Sequence, residues 1–198
     1  MDARRDTTTN RPHEATALIE IARPRFDVDL DIAYARADNF TGQAIYRRAA
    51  AYLHAAAAER LEAAIVLAAS ADLRFRIFDA FRPSEAQWAL WNHTPDPDYI
   101  SDPRKGSPHT RGVAVDLTLD RSDGTVLDMG TAFDDFSARA HHANTAIGDA
   151  AQRNRMMLLG IMTAAGWAHY DKEWWHYQLE DAERYPLLGD DALDEGLM

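Results

Sequence analysis

The chain contains no cysteine. Disulfides, thiolate ligands and a cysteine nucleophile are therefore excluded, and any transition-metal site must be built from imidazoles and carboxylates. Long apolar runs are also missing: nothing approaches the roughly 18 uninterrupted apolar residues of a membrane span, so none is expected. Positive charge is scarce, with 21 Lys plus Arg against 32 Asp plus Glu and a formal net charge of −11. That balance argues against nucleic acid or an anionic membrane as partner. Met1 to Asn10 has no apolar stretch behind Arg4 and Arg5, so it does not read as a secretory signal, and the cytoplasm is the expected location.

What is present suits one globular domain. The 198 residues are 46% hydrophobic and 27% charged, enough for one substantial core. A polar, flexible tail is expected at 1–14 and a single domain over 15–198. Ala17 to Ala22 leans toward strand, and Asp27 to Ala35 alternates with Val28, Leu30 and Ile32 on one side. Asn39 to Gly42 reads as a turn. The alanine-rich stretch from Ala44 to Ala71 predicts a long helix on propensity.

Leu73 to Arg82 alternates and predicts a strand, with Asp79 on the Leu73, Phe75 and Ile77 face and Arg82 on the Phe78 and Ala80 face. Pro83 suits the first turn of a helix over Glu85 to Trp91, and the prolines between His93 and Pro108 predict a loop. Val113 to Leu119 predicts a strand that turns at Ser122-Asp123-Gly124 into a return strand at Thr125 to Leu127. Asn144 to Ala165 predicts a helix stopped by Gly166, and Trp167 to Tyr177 a closing hairpin. The order of elements predicts an α+β fold, with helices packed around a mainly antiparallel sheet.

Two short stretches concentrate the chemistry. Ser107-Pro108-His109-Thr110-Arg111-Gly112-Val113-Ala114-Val115-Asp116 offers an imidazole and a carboxylate. Glu173-Trp174-Trp175-His176 offers another pair. Two histidines and an aspartate make a three-ligand set for zinc that leaves a fourth position open for water, and Glu173 is a candidate base for that water. Asp116 stands alone as a charge in an apolar strand, and burying it unpaired is expensive. A metal, an arginine or a cap would each offset that cost.

Glu173 and His176, three apart, share one face only if the strand twists or Glu173 sits at its mouth. The plainer alternative is an aromatic hairpin with a hydrogen-bonded core histidine. Arg82 offers a planar fork of donors for a carboxylate or an oxyanion, or a salt bridge to Asp79 or Asp38. His54, His93, His141 and His142 read as surface residues, and His169 as part of the wall around the motif. Asp134 reads either as a helix cap or as a partner for a substrate ammonium.

Taken together, these residues resemble the D-alanyl-D-alanine dipeptidases of the VanX type, metallopeptidases related to zinc D,D-carboxypeptidases. The likeness runs through Asp31 to Ala35, Asp38 to Gly42, Asp79 to Pro83, Ser107 to Leu119, Met129 to Asp134 and Glu173 to Tyr177. It implies one zinc ion per chain, bound by His109, Asp116 and His176, and a small dipeptide, D-Ala-D-Ala, hydrolysed to two D-alanines. It further implies Glu173 as general base and then proton donor, and Arg82 as stabiliser of the tetrahedral intermediate. Tyr34 and Ser107 would contact substrate and Asp134 would engage its free amine. A homodimer is compatible with this reading.

Two departures from the family pattern stand out: Phe81 where tyrosine is expected in several relatives, and a short segment from Pro83 to Ser107. The rival readings are a carboxypeptidase or endopeptidase acting on longer cell-wall peptides, and a non-catalytic zinc-binding module. Glu173 separates the last from the others, because a structural metal site has no use for a base.

Overall fold

The computed structural model describes residues 18–198, so the tail expected at 1–14 lies outside the described residues. In chain order these form β1 (Leu18–Glu20), β2 (Asp29–Leu30), β3 (Tyr52–His54), α1 (Ala55–Ser70), β4 (Leu73–Asp79), α2 (Ser84–His93), β5 (Ala114–Arg121), α3 (Asp149–Ala164), β6 (Ala168–Tyr170) and β7 (Glu173–Gln178). β1 and β3 pair as a small ribbon, while the main sheet runs β2-β4-β5-β7-β6. Every neighbouring pair is antiparallel except β2 with β4. The fold is therefore α+β around a mainly antiparallel sheet. Among the described residues no helix is long and apolar enough to cross a membrane.

The core forms where β4 meets α1. Leu73, Phe75 and Ile77 point inward at every second position of β4. α1 presents Ala57, Ala58, Leu61, Ala64 and Ala68 as its buried stripe, and these small side chains let the helix lie close to the sheet. The helix is shorter than alanine content predicts, because Tyr52 to His54 is taken by β3. Helix preference differs among ordinary residues by at most about 0.7 kcal/mol each. Burying Leu53, which pairs with Ile19 and is fully enclosed, is worth roughly 1.5–3 kcal/mol. The larger quantity sets the boundary. His54 then caps α1, its Nδ1 accepting from the Ala56 N–H at 3.2 Å.

Other boundaries move for local reasons. The stretch at 27–35 keeps only a two-residue strand and then turns into a 3-10 helix at Ala33–Ala35, which buries Tyr34. Asn144 accepts from the Ala146 N–H through its side chain, a turn that delays α3 to Asp149. The return strand at Thr125 to Leu127 is reduced to one bridge, Asp120 with Val126.

Two backbone irregularities aim the functional side chains. β4 and β5 pair Ile77 with Leu117 and then Asp79 with Asp116, so β4 carries one extra residue there. Such a bulge turns the following side chain to the other face. Asp79 therefore leaves the Leu73, Phe75 and Ile77 face that strict alternation assigned to it and joins Asp116. The second irregularity follows the 3-10 turn His109–Arg111, where Gly112 takes φ 67°. Its carbonyl accepts from the His54 N–H at 2.8 Å, and a Cβ there would stand 2.7 Å from Leu18 Cδ2. Gly112→Ala is expected to lower the unfolding free energy by about 1–3 kcal/mol. Urea denaturation should show a lower midpoint with an unchanged slope, and an unmoved midpoint would mean that this turn tolerates a side chain.

Candidate active site

Three neighbouring strands place a row of polar side chains across the sheet. Asp116 on β5 lies directly opposite His176 on β7 and, through the bulge, opposite Asp79 on β4. Directly opposed residues in an antiparallel ladder share a face, with Cβ atoms about 4.5–5.5 Å apart. His109 enters from the 3-10 turn before β5. Its Nε2 lies 3.3 Å from Asp116 Oδ2, and His176 Nδ1 lies 3.0 Å from Asp116 Oδ1. Ligand atoms of His109, Asp116 and His176 all fall within 4.8 Å of one another, and all three residues are buried.

The outer sides of the two rings decide what the cluster can hold. His109 Nδ1 is 2.7 Å from the Ala80 carbonyl, which only accepts, so Nδ1 carries the proton and Nε2 presents a lone pair. His176 Nε2 is 2.9 Å from Gln178 Oε1, which likewise only accepts, leaving the Nδ1 lone pair inward. Two lone pairs 3.2 Å apart thus face each other and an acceptor-only carboxylate. Such an arrangement is repulsive unless a cation or a proton lies between the donors. Neutral imidazoles held by outward hydrogen bonds, with a carboxylate between them, are what a divalent metal requires, so the residues fit one.

The surrounding field points the same way. Burial would raise the Asp116 carboxyl, but positive charge carried by His109 and His176 outweighs it and holds it below its ordinary range, a part that a bound cation takes over when the rings are neutral. Burial would lower His176, yet Asp116 and Glu173 reverse this and raise its affinity for a proton. Glu173 opens β7, at the strand mouth, where pairing with β6 is irregular. Its Oε2 stands 3.8 Å from His176 Nδ1, near the cluster without belonging to it. Burial pushes its carboxyl up to about 7, a value suited to giving and taking protons near neutrality.

Arg82 faces the cluster from the end of β4. Nε donates to Asp79 Oδ2 at 2.8 Å and Nη1 to Gln87 Oε1 at 3.0 Å, while Nη2 lies 3.8 Å from Asp116 Oδ2. Asp79 also accepts from the Tyr46 hydroxyl at 3.0 Å. Arg82 therefore makes the salt bridge to Asp79 expected as one alternative, and its Nη2 still faces the cluster. Ser107 Oγ accepts from the His109 N–H at 3.2 Å. Across the cleft Tyr34 donates its hydroxyl to Asp134 Oδ2 at 3.0 Å and supports Arg82 with its ring, 5.2 Å from the guanidinium carbon. Asp134 has φ 58° and is not a helix cap. Its carboxyl is raised well above the usual range by burial and then by Asp116.

Tyr34, Arg82, Ser107, His109, Asp116, Asp134, Glu173 and His176 all line one cleft of about 190 Å³. His169 does not join them. It is partly exposed and bonded to Asp171 at 3.1 Å, because β6 is an edge strand and turns it outward. Gln178, Gln87 and Tyr46 also support the site, although no sequence motif marks them. Gln178 carried a usable signal, since two residues beyond His176 on a strand is the same face. Gln87 and Tyr46 come from distant segments and carried none.

The chain is similar along most of its length to known proteins. The family model described as D-ala-D-ala dipeptidase matches residues 14–193. A D-alanyl-D-alanine dipeptidase of Escherichia coli (strain K12) is 44% identical over 177 residues, covering 89% of this chain and 92% of its own. One of Enterococcus faecium is 37% identical over 180 residues, covering 79% and 87%. A vancomycin-resistance D,D-pentapeptidase crystallised with Zn(II) aligns over 83% of this chain and 84% of its own, at 14% identity and a TM-score of 0.44. That last likeness is too distant to bear on the site.

The orientation of His176 by Gln178 is directly testable. Gln178→Leu removes the acceptor that fixes the ring and is expected to weaken metal binding by about 10–100-fold. Competition against a chelator measures this, and unchanged affinity would leave Gln178 without an orienting role.

Proposed function

Because the chain belongs to the D-ala-D-ala dipeptidase family of peptidases, we propose that it hydrolyses D-Ala-D-Ala to two D-alanines, with one zinc ion held by His109, Asp116 and His176. The observation that carries this reading is the convergence of three inward-facing acceptors beside a carboxylate, Glu173, that is not one of them. Two imidazoles and one carboxylate are a donor set that zinc takes in catalytic sites. When bound, the ion supplies Lewis-acid polarisation of the scissile carbonyl and acidifies water.

The chain's own groups do the rest. Glu173 takes the proton of the attacking water on a carboxylate oxygen and returns it to the departing amine. Arg82 turns Nη2 toward the developing oxyanion, while Nε and one hydrogen of Nη1 are committed to Asp79 and Gln87. Asp134 meets the substrate ammonium, whose charge restores the ionised form that burial disfavours. Ser107 Oγ accepts from the His109 N–H, which leaves its own hydrogen for the substrate's carboxylate.

Size supports this reading over the carboxypeptidase alternative. The cleft, at about 190 Å³, lies below the roughly 300–1,000 Å³ of drug-sized sites. Asp98, in its wall, bonds Lys172 of the β6–β7 turn at 2.9 Å, tying two walls together. Both features favour a free dipeptide over a polymer end. The same proposal sets this turnover of a cell-wall building block in the cytoplasm.

Glu173→Gln is expected to retain zinc and to lose about 10²–10⁴ in kcat, as removal of a general base does. Full turnover in that variant would assign the base elsewhere. In parallel assays D-Ala-D-Ala should be cleaved faster than L-Ala-L-Ala or a tripeptide ending in D-Ala-D-Ala. Preference for the tripeptide would favour the carboxypeptidase, and inertness toward all three a binding module.

A further inference from the structure

The segment that delivers Asp134 to the cleft has little regular structure of its own. Between β5 and α3 it contains only one 3-10 turn, Ala138–Ala140, yet it must hold Asp134 at φ 58° with its carboxyl beside Tyr34. A loop holding a residue in that region persists only when its surroundings over-determine it.

The surroundings are two adjacent side chains of α3. Asn154 Nδ2 donates to the Asp128 carbonyl at 2.8 Å. Arg155 Nε donates to the Met129 carbonyl at 2.7 Å, and Nη1 to the carbonyls of Arg139 and His141 at 2.9 and 3.0 Å. Arg155 thus grips the segment on both sides of Asp134. Gly130 lets the segment approach α3 closely, since a Cβ there would stand 2.9 Å from Ile147 and 3.2 Å from Ala151. A further tie comes from β7, where Trp174 donates to Thr131 at 2.8 Å beside Glu173.

Arg155 is an unusual group to find there. It is 2% exposed and hydrogen-bonds only backbone carbonyls among the described residues, while burial lowers its pKa to about 10. It remains charged at neutral pH, and its burial is offset by those three carbonyls, by Asp128 and Asp135, and by the Trp174 ring 5.8 Å from its carbon, while Nη2 has no partner among the described residues. A fixed guanidinium fork that bonds three carbonyls of one loop is a clamp that a lysine, with one nitrogen, does not reproduce.

We propose that Arg155 is a positioning residue that acts through Asp134, holding the 128–141 segment so that the Asp134 carboxyl meets the substrate ammonium. This rests on the assignment of Asp134 to that ammonium made above. The measurement is steady-state kinetics on the zinc-loaded full chain with D-Ala-D-Ala, comparing Arg155→Met, Asp134→Ala and the double variant. Melting temperature and zinc content are followed alongside.

Arg155→Met is expected to lower kcat/KM by about 10²-fold, the scale of a roughly 1 Å misplacement. The loss should fall mainly on KM, with zinc content unchanged, because a ground-state contact is weakened. The double variant should be no worse than Asp134→Ala alone. Arg155→Lys serves if the methionine variant does not fold, and it should show a smaller loss of the same kind. Losses that multiply in the double variant, or a fall in kcat with KM unchanged, would overturn the clamp while leaving the Asp134 assignment intact. A full-activity Asp134→Ala enzyme would remove that assignment and the proposal with it.

Discussion

A carboxylate buried between two imidazoles in the middle of a sheet is the constraint around which the rest of this protein is arranged. Asp116 is 3% exposed, and an unpaired charge at that depth would be expelled or neutralised. Four carboxyl groups, Asp79, Asp116, Asp134 and Glu173, gather around a single guanidinium, Arg82. The surplus of negative charge has few outlets. Part is relieved by protons, as the raised affinities of Asp134 and Glu173 express. The remainder calls for a cation at the one point where three acceptors meet. Affinity for a cation and affinity for protons are thus two consequences of one imbalance.

The scaffold answers this imbalance with backbone rather than with further charges. His109 is oriented by the carbonyl of Ala80, and the His109 carbonyl in turn accepts from the Arg82 N–H at 3.1 Å. The same few residues at the end of β4 therefore set the tautomer of His109 and the position of the arginine. Backbone groups suit this task because they carry no net charge and their positions are fixed by the sheet. Each added carboxylate would have deepened the imbalance. Removing one partner from a buried ionic cluster typically costs about 3–5 kcal/mol, so little of this arrangement is free to vary singly.

The sequence made the chemistry legible and left its aiming obscure. Residue types suggested the grouping of His109, Asp116, Glu173 and His176, the family resemblance carried it, and alternation placed Asp116 on the face it shares with His176. Asp79 was misplaced because alternation assumes a regular ladder, and the extra residue before it changes the face. α1 was extended too far because alanine content reports local preference, whereas Tyr52 to His54 is claimed by a partner strand more than 30 residues earlier in the chain. Gln87 and Arg155 were invisible for the same reason: their importance lies in which carbonyls and side chains they reach.

Phe81 shows how such long-range contacts recast a local departure. Read along the chain, the loss of a tyrosine hydroxyl beside Arg82 suggests a weakened site. Phe81 is instead 1% exposed and packed in the core, where a hydroxyl would need a buried partner. The hydroxyl near the arginine comes from Tyr46, which donates to the Asp79 oxygen that Arg82 leaves free. Asp79 thereby receives a donor on each oxygen, one charged and one neutral, and the guanidinium is held without help from position 81. The geometry of Arg82 is then a property of Asp79 and its two donors, and position 81 contributes core packing rather than a hydroxyl.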